Sequence, residues 1–406
     1  MKLNINKYEI PEGFKALGFM GKIKSNKNDM ALLYSGTVSN TAAVFTKNLV
    51  KAACIKRNQE LLANSEGINC ILINSGNANA CTGKNGEKDN KTLAEHTALL
   101  LGIKESQVLT ASTGVIGVNL PLDNMLQALT DTAPILMSEQ SDLKSAANAI
   151  LTTDKIEKNC SVKIKINNSD VTISGIAKGS GMIHPNMATM LGFIITDANI
   201  SKILLQTILD ETVQETFNMI SVDGDTSTND MVLLLANGRA ANPKISEQNN
   251  DYKKLKEAVF EVSKYLAKSI ARDGEGASKL IEVEVNSSTG IKDSKKIAKS
   301  VISSSLVKTA IFGGDPNWGR IIAAMGYSGA NFDPGKVSIY FQGSPGYICV
   351  MENGEPHHFD ELTAAAILKE KNIYITITID NGEYTATAWG CDLTYDYVKI
   401  NADYHT

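Results

Sequence analysis

A mixed α/β protein is the class this sequence predicts, and three observations predict it. Apolar runs such as Leu191–Thr196 (LGFIIT) and Met231–Leu235 (MVLLL) have the length and continuity of strands buried on both faces. Other stretches have helical spacing: Leu204, Leu205, Ile208, Leu209, Val213 and Phe217 in one, Leu255, Val259, Val262, Leu266 and Ile270 in another. A third kind alternates, as Ser161–Ile166 (SVKIKI) and Ile373–Ile379 do, placing apolar side chains on one face of a strand. The 406 residues, 43% hydrophobic and 21% charged, suffice for two or three domains or one two-lobed body.

Taken in order, the first sixty residues read as strands of one sheet. Met30–Tyr34 and Ala42–Phe45 are two of them, and Ser25–Asp29 is a hairpin connection. Ile71–Ile73 is a further buried strand. It runs into Asn74–Gly83 (NSGNANACTG), whose small polar side chains suit a ligand-lining loop or a tightly packed turn equally well. Asp89–Leu101 is helical and stops at Gly102. A strand within 108–118 ends in Ser112-Thr113-Gly114. Leu122–Leu129 and Ser141–Leu151 are helical stretches separated by Pro134. Ser161–Ile166 and Val171–Ile173 form a hairpin about Asn167–Asp170.

The helix Ser201–Ile220 leads into Ser221–Asp230 (SVDGDTSTND). Tyr252–Arg272 is the longest helix and ends at Asp273-Gly274-Glu275-Gly276. Ile281–Val285 is a one-sided strand, Ser294–Ser303 a helix and Leu306–Phe312 a strand. Gly313–Arg320 (GGDPNWGR) is a loop, and Val337–Phe341 a strand. Asp380-Asn381-Gly382 reads as a hairpin turn joining Ile373–Ile379 to Tyr384–Trp389.

Several function classes drop out. Net charge is −4, without a basic tract, so no nucleic-acid footprint is present. The six cysteines include no CxxC pair, and reduced thiols are expected; Cys81 is read as a small packed residue. Gly114 and Gly117 do not complete a dinucleotide loop, and GGDPNWGR lacks the GK[ST] of a phosphate loop. SVDGDTSTND fails the calcium-loop spacing, which leaves a structural or site-lining role. His96 is expected on a helix surface or in the core. No metal or cofactor is called for. The first residues carry no apolar signal core and no segment is long enough to span a membrane, so a cytosolic protein is expected.

Chemistry concentrates in Lys178–Ala198 (KGSGMIHPNMATMLGFIITDA). Its glycines and Pro185 deny it regular structure, and it feeds Thr189 into the buried strand 191–196. Cleavage at Ala188–Thr189 would give Thr189 a free α-amine, with a pKa of about 7.7–8.0. That amine could serve as base for the threonine's own hydroxyl. Thr113 beside Gly114 makes a plausible donor pair, hydroxyl and backbone N–H, for a developing oxyanion.

The string KGSGMIHPNMATML resembles the self-cleavage segment of the ornithine acetyltransferase (glutamate N-acetyltransferase, ArgJ) family. Thr113-Gly114, SVDGDTSTND, DGEGASK, GGDPNWGR and YVKINADY follow in family order, so the resemblance spans the chain. It implies a layered α/β sandwich with a smaller C-terminal lobe. It also implies two chains, 1–188 and 189–406, paired as α2β2. Thr189 would be the nucleophile, Ala188–Thr189 the cleavage site, and Thr113 and Gly114 the oxyanion hole. Lys178, Thr189, Glu275, Asn401 and Thr406 would contact substrate. The implied reaction moves acetyl from N2-acetyl-L-ornithine to L-glutamate by a ping-pong route in arginine biosynthesis. Whether acetyl-CoA also serves as donor is left open. Departures from the family pattern, His184 and Lys155, touch none of these roles.

Overall fold

The computed structural model describes residues 4–64, 66–138, 140–184, 190–380 and 382–403. Among them the strands form two sheets. The first has nine strands. Eight run in the order Ile5–Asn6, Lys158–Ile166, Ser169–Lys178, Leu191–Thr196, Met231–Ala236, Met30–Phe45, Ile68–Asn77 and Val108–Val115, and Phe14–Phe19 also pairs with Met30–Phe45. The second has seven: Glu355–Pro356, Gly346–Glu352, Val337–Gly343, Asn372–Ile379, Leu280–Ser287, Tyr384–Cys391 and Ile220–Ser221.

Helices separate the sheets. Asn250–Arg272 lies against Lys158–Ile166 and Ser169–Lys178 of the first sheet and against Tyr384–Cys391 of the second. It starts where the Asn249 side chain accepts the N–H groups of Asp251 and Tyr252. Its stripe of Leu255, Val259, Val262, Leu266 and Ile270 is fully buried. Each such side chain contributes about 1.5–3 kcal/mol. Strand 191–196 is apolar up to its last residue, Thr196, because both faces are covered. Ile194 joins the cluster against these helices, while Leu191, Phe193 and Ile195 join a second cluster with Leu143–Ala149 and Ala53–Asn64. The layered α/β expectation therefore holds. The expected division at Ala188–Thr189 falls outside the described residues.

Several local expectations change. Met30–Tyr34 and Ala42–Phe45 are one 16-residue strand with an irregularity between Tyr34 and Ser39. The helix Leu122–Met137 runs through Pro134, which sits at an exposed position in its last turn. The helix begun near Ser201 ends at Glu215, and a short 3₁₀ turn precedes the edge strand Ile220–Ser221.

Leu306–Phe312 is helical, within Ser305–Gly313. Ser304 Oγ accepts the N–H of Val307, and Gly314 closes the end at φ 73°. The buried residues Val307, Lys308, Ala310 and Ile311 have helical spacing, and Leu306 and Phe312 are exposed. A run of seven apolar-rich residues is too short for periodicity to separate helix from strand. The last part of GGDPNWGR likewise opens a helix, Trp318–Gly326, capped by Asn317.

The expected hairpin 373–379/384–389 does not pair with itself. Leu280–Ser287 lies between the two strands, parallel to the first and antiparallel to the second. The connection crosses over the end of this inserted strand. A Cβ on Gly382 would fall 1.7 Å from the Ser287 carbonyl carbon, which demands glycine there.

Candidate active site

One cavity collects most of the residues singled out above. Thr113, Gly114, Lys178, Glu275 and Asn401 all line it, as does Met190, which follows Thr189 in sequence. Ala188, Thr189 and Thr406 lie outside the described residues.

Backbone pairing brings these parts together. Val108–Val115 runs parallel to Ile68–Asn77, with Gly114 opposite Gly76. Gly114 has φ 134°, and a Cβ there would lie 2.3 Å from the Gly76 carbonyl carbon, so the strands meet only because no side chain intervenes. Lys178 ends strand 169–178 and pairs with Leu191, the start of strand 191–196. Its Nζ donates to Thr113 Oγ1 at 3.2 Å.

Glu275 enters from the turn after the long helix. Its Oε1 accepts from Thr153 Oγ1 at 2.6 Å and its Oε2 from Asn401 Nδ2 at 2.8 Å. Thr153 Oγ1 also meets Ser180 Oγ at 2.8 Å. Gly181 makes room for this carboxylate, since a Cβ there would lie 2.3 Å from it. The Glu275–Asn401 bond ties the helix Tyr395–Asp403 to the site, although that helix buries none of its own residues.

The charges around the cavity are buried. Burial lowers the pKa of Lys178, against the pull of Asp154, Asp230 and Glu275. Asp230 is the reverse case. Burial pushes its carboxyl well above the usual range, although Ser227 and Lys178 pull it down. Its Oδ2 has no hydrogen-bond partner among the described residues. Burial also opposes charge on Asp154, but Lys158, Lys178 and the Gly179 N–H together hold its carboxyl below the ordinary value. Lys158 Nζ bridges Asp154 at 2.7 Å and Asp273 at 2.6 Å. This links the segment behind Thr153 to the turn that carries Glu275.

The loop SVDGDTSTND both clamps and lines. The Asp223 carboxylate accepts the N–H groups of Met182 and Ile183, and Thr226 Oγ1 donates to the His184 carbonyl. Its far end, Ser227–Asp230, borders the cavity. Of NSGNANACTG, Asn74–Asn77 finish the strand Ile68–Asn77, Gly83 opens a helix, and the stretch between is a packed turn. The asparagines of the segment bond inward, as Asn74 does to Ser112 Oγ and to the Asn77 carbonyl, and Ala78 is its one residue lining the cavity among those described. Cys81 is exposed rather than packed and borders a separate cavity. His96 sits half-buried on its helix, 2.9 Å from Thr130 Oγ1. Thr152 and Thr153 escaped the reading of the residues. Adjacent hydroxyls before an aspartate carry no spacing signal of their own.

His184 borders this machinery. Burial, with the charge of Lys299 adding to it, lowers its pKa to about 4, and Nδ1 meets Ser221 Oγ at 3.0 Å. The unfolded value is about 6.5, so the unfolded chain takes up the proton first. This contribution to stability is therefore complete above pH 6.5 and lost as pH falls toward 4. Thermal melts at stepped pH should show Tm declining through that window, and His184→Gln should flatten this part of the decline. An unchanged slope in the variant would remove His184 from the account.

A sequence model of the ArgJ family matches residues 15–406. The chain belongs to the ArgJ family. The arginine biosynthesis bifunctional protein ArgJ of Caldanaerobacter subterraneus subsp. tengcongensis is 49% identical over 406 residues, 100% of both chains. ArgJ 1 of Clostridium acetobutylicum is 50% identical over 404 residues, covering 99% of this chain and 98% of its own. The crystal structure of ArgJ from Bacillus halodurans is 46% identical, with a TM-score of 0.50. The match covers 52% of this chain and 98% of that one. ArgJ membership thus joins a site whose parts come from elements before and after Thr189 in the sequence.

Proposed function

We propose that the protein moves acetyl from N2-acetyl-L-ornithine to L-glutamate through an acetyl ester on Thr189. The coarser statement, that it is an acetyltransferase of arginine biosynthesis, comes with its place in the ArgJ family. The observation that carries the finer reading is the convergence of Thr113, Gly114, Lys178, Glu275 and Asn401 on one cavity bordered by Met190.

The chain first cleaves itself between Ala188 and Thr189, and the two products stay together and pair as α2β2. The match to a Bacillus halodurans chain spanning 52% of this one agrees with a processed half. In the first half-reaction Thr189 Oγ attacks the acetyl carbonyl carbon, and its proton passes to the α-amine of Thr189. Charge gathers on the carbonyl oxygen, where the Thr113 hydroxyl and the Gly114 N–H stabilise it. One such donor is typically worth about 2.7–4 kcal/mol. The bond from the acetyl carbon to the ornithine nitrogen then breaks, and the α-ammonium returns the proton to that nitrogen. Ornithine leaves and acetyl-Thr189 remains. In the second half-reaction the α-amine of glutamate attacks the ester, the C–O bond breaks and Thr189 regains its proton. Glu275, Asn401 and Thr406 hold the amino-acid parts of the substrates.

Incubation with acetylornithine, with and without glutamate, tests the transfer. Acetylglutamate should form only with glutamate present, and acetyl-Thr189 should be trapped when it is absent. Steady release of acetate without glutamate would make the protein a hydrolase and overturn the reading. The relatives' designation as bifunctional supports acetyl-CoA as a second donor, and acetylglutamate formed from acetyl-CoA and glutamate alone would establish it.

A further inference from the structure

We infer that Lys178 is a positioning residue for the oxyanion hole: by donating to Thr113 Oγ1 it commits the single hydroxyl proton of Thr113 to the cavity. The inference rests on the proposed oxyanion role of Thr113. A threonine hydroxyl has one proton to give and lone pairs to receive. At 3.2 Å the Lys178 ammonium occupies the receiving side. The Thr113 proton must then point elsewhere, and Thr113 lines the cavity. An uncharged amine at Lys178 could accept that proton instead and turn the donor away from the reacting oxygen.

The surroundings suit this task. Lys178 is nearly buried, so water does not compete for Thr113 Oγ1. The charged and titratable groups facing it are Asp154 and Lys158 from one segment, Asp230 from the strand loop, Glu275 from the helix turn, and Lys24. The carboxylates favour the ammonium, while burial and the two lysines oppose it. The balance lowers the pKa of Lys178 below an ordinary lysine value. Turnover that needs the ammonium is therefore lost as pH rises through this lowered pKa, on the alkaline side of the optimum.

The test uses fully cleaved enzyme, verified by mass. Thr113→Ala should lower kcat about 10²–10³-fold, the cost of one oxyanion donor. Thr113→Ser should recover most of the rate. Lys178→Met should lower kcat to a similar extent with KM changed less than about threefold. Because both act through one hydroxyl, the double variant should be no more than about threefold worse than either single one. The wild-type alkaline limb should vanish in Thr113→Ala, a comparison that needs no lysine variant should Lys178→Met fail to fold or cleave. Multiplied losses in the double variant, or an alkaline limb kept in Thr113→Ala, would overturn the role of Lys178 while leaving Thr113 in the oxyanion hole. Wild-type turnover in Thr113→Ala would overturn both readings.

Discussion

Thr189→Ala is expected to leave a single uncleaved chain of 43.7 kDa and no measurable acetyl transfer. The two losses have one origin. Self-cleavage before Thr189 and acyl transfer at Thr189 both need the same oxygen as nucleophile, and alanine has none. In hydroxyl-nucleophile enzymes the loss of that oxygen costs on the order of a millionfold in kcat. Denatured intact mass reads the first loss directly, and acetylglutamate formation reads the second. Thr189→Ser retains a hydroxyl and an α-amine after cleavage and should keep part of both activities. A Thr189→Ala protein that still appears as two chains, or still forms acetylglutamate, would end the assignment of this residue as nucleophile.

Lys158→Met should destabilise the fold by about 3–5 kcal/mol, the usual cost of removing one partner from a buried ion pair. The side chain of Lys158 is fully enclosed, Asp154 equally so, and Asp273 is 5% exposed. Methionine fills much of the space but leaves two buried carboxylates without their cation. Asp154 and Asp273 also hold backbone N–H groups, of Gly179 and of Lys155, so the disturbance reaches the end of strand 169–178 and the turn at Glu275. Denaturant titration measures the loss. The triple variant Lys158→Met, Asp154→Asn, Asp273→Asn removes the stranded charges and should regain part of it. A single variant as stable as the wild type would show that the cluster is neutralised in another way. The lowered pKa of Asp154 adds a pH signature: its contribution is present above the unfolded value of about 3.9 and is lost as pH falls toward the folded one.

Much of the architecture is legible in the residues. The long helix declares itself by its apolar stripe, because helical periodicity is a local property. Strand 191–196 declares itself as buried on both faces because no polar side chain interrupts the run Leu191–Ile195. The site residues Thr113, Gly114, Lys178, Glu275 and Asn401 are legible through a resemblance spread over the chain, and one cavity unites them. Neighbours are less legible. A turn signal at 380–382 cannot tell a hairpin from a crossing. A strand near residue 280 completes the sheet from about a hundred residues away. Leu306–Phe312 fails for the opposite reason: seven residues hold too few periods, and the caps at Ser304 and Gly314 outweigh its β-like composition.

By itself the sequence determined the α/β class, the main buried elements, the family signature and the threonine on which the proposed chemistry turns. These follow from local periodicity, turn chemistry and strings of residues that lie side by side in the chain. Only the tertiary structure decided that Leu280–Ser287 divides an apparent hairpin, that Lys158 joins Asp154 to Asp273, and that Thr153 and Asn401 grip the two oxygens of Glu275. It also decided that Lys178 meets the hydroxyl of Thr113, 65 residues away along the chain. Those contacts depend on which surfaces meet when the sheets and helices bury their apolar faces, and burial is a property of the assembled chain rather than of any segment of it.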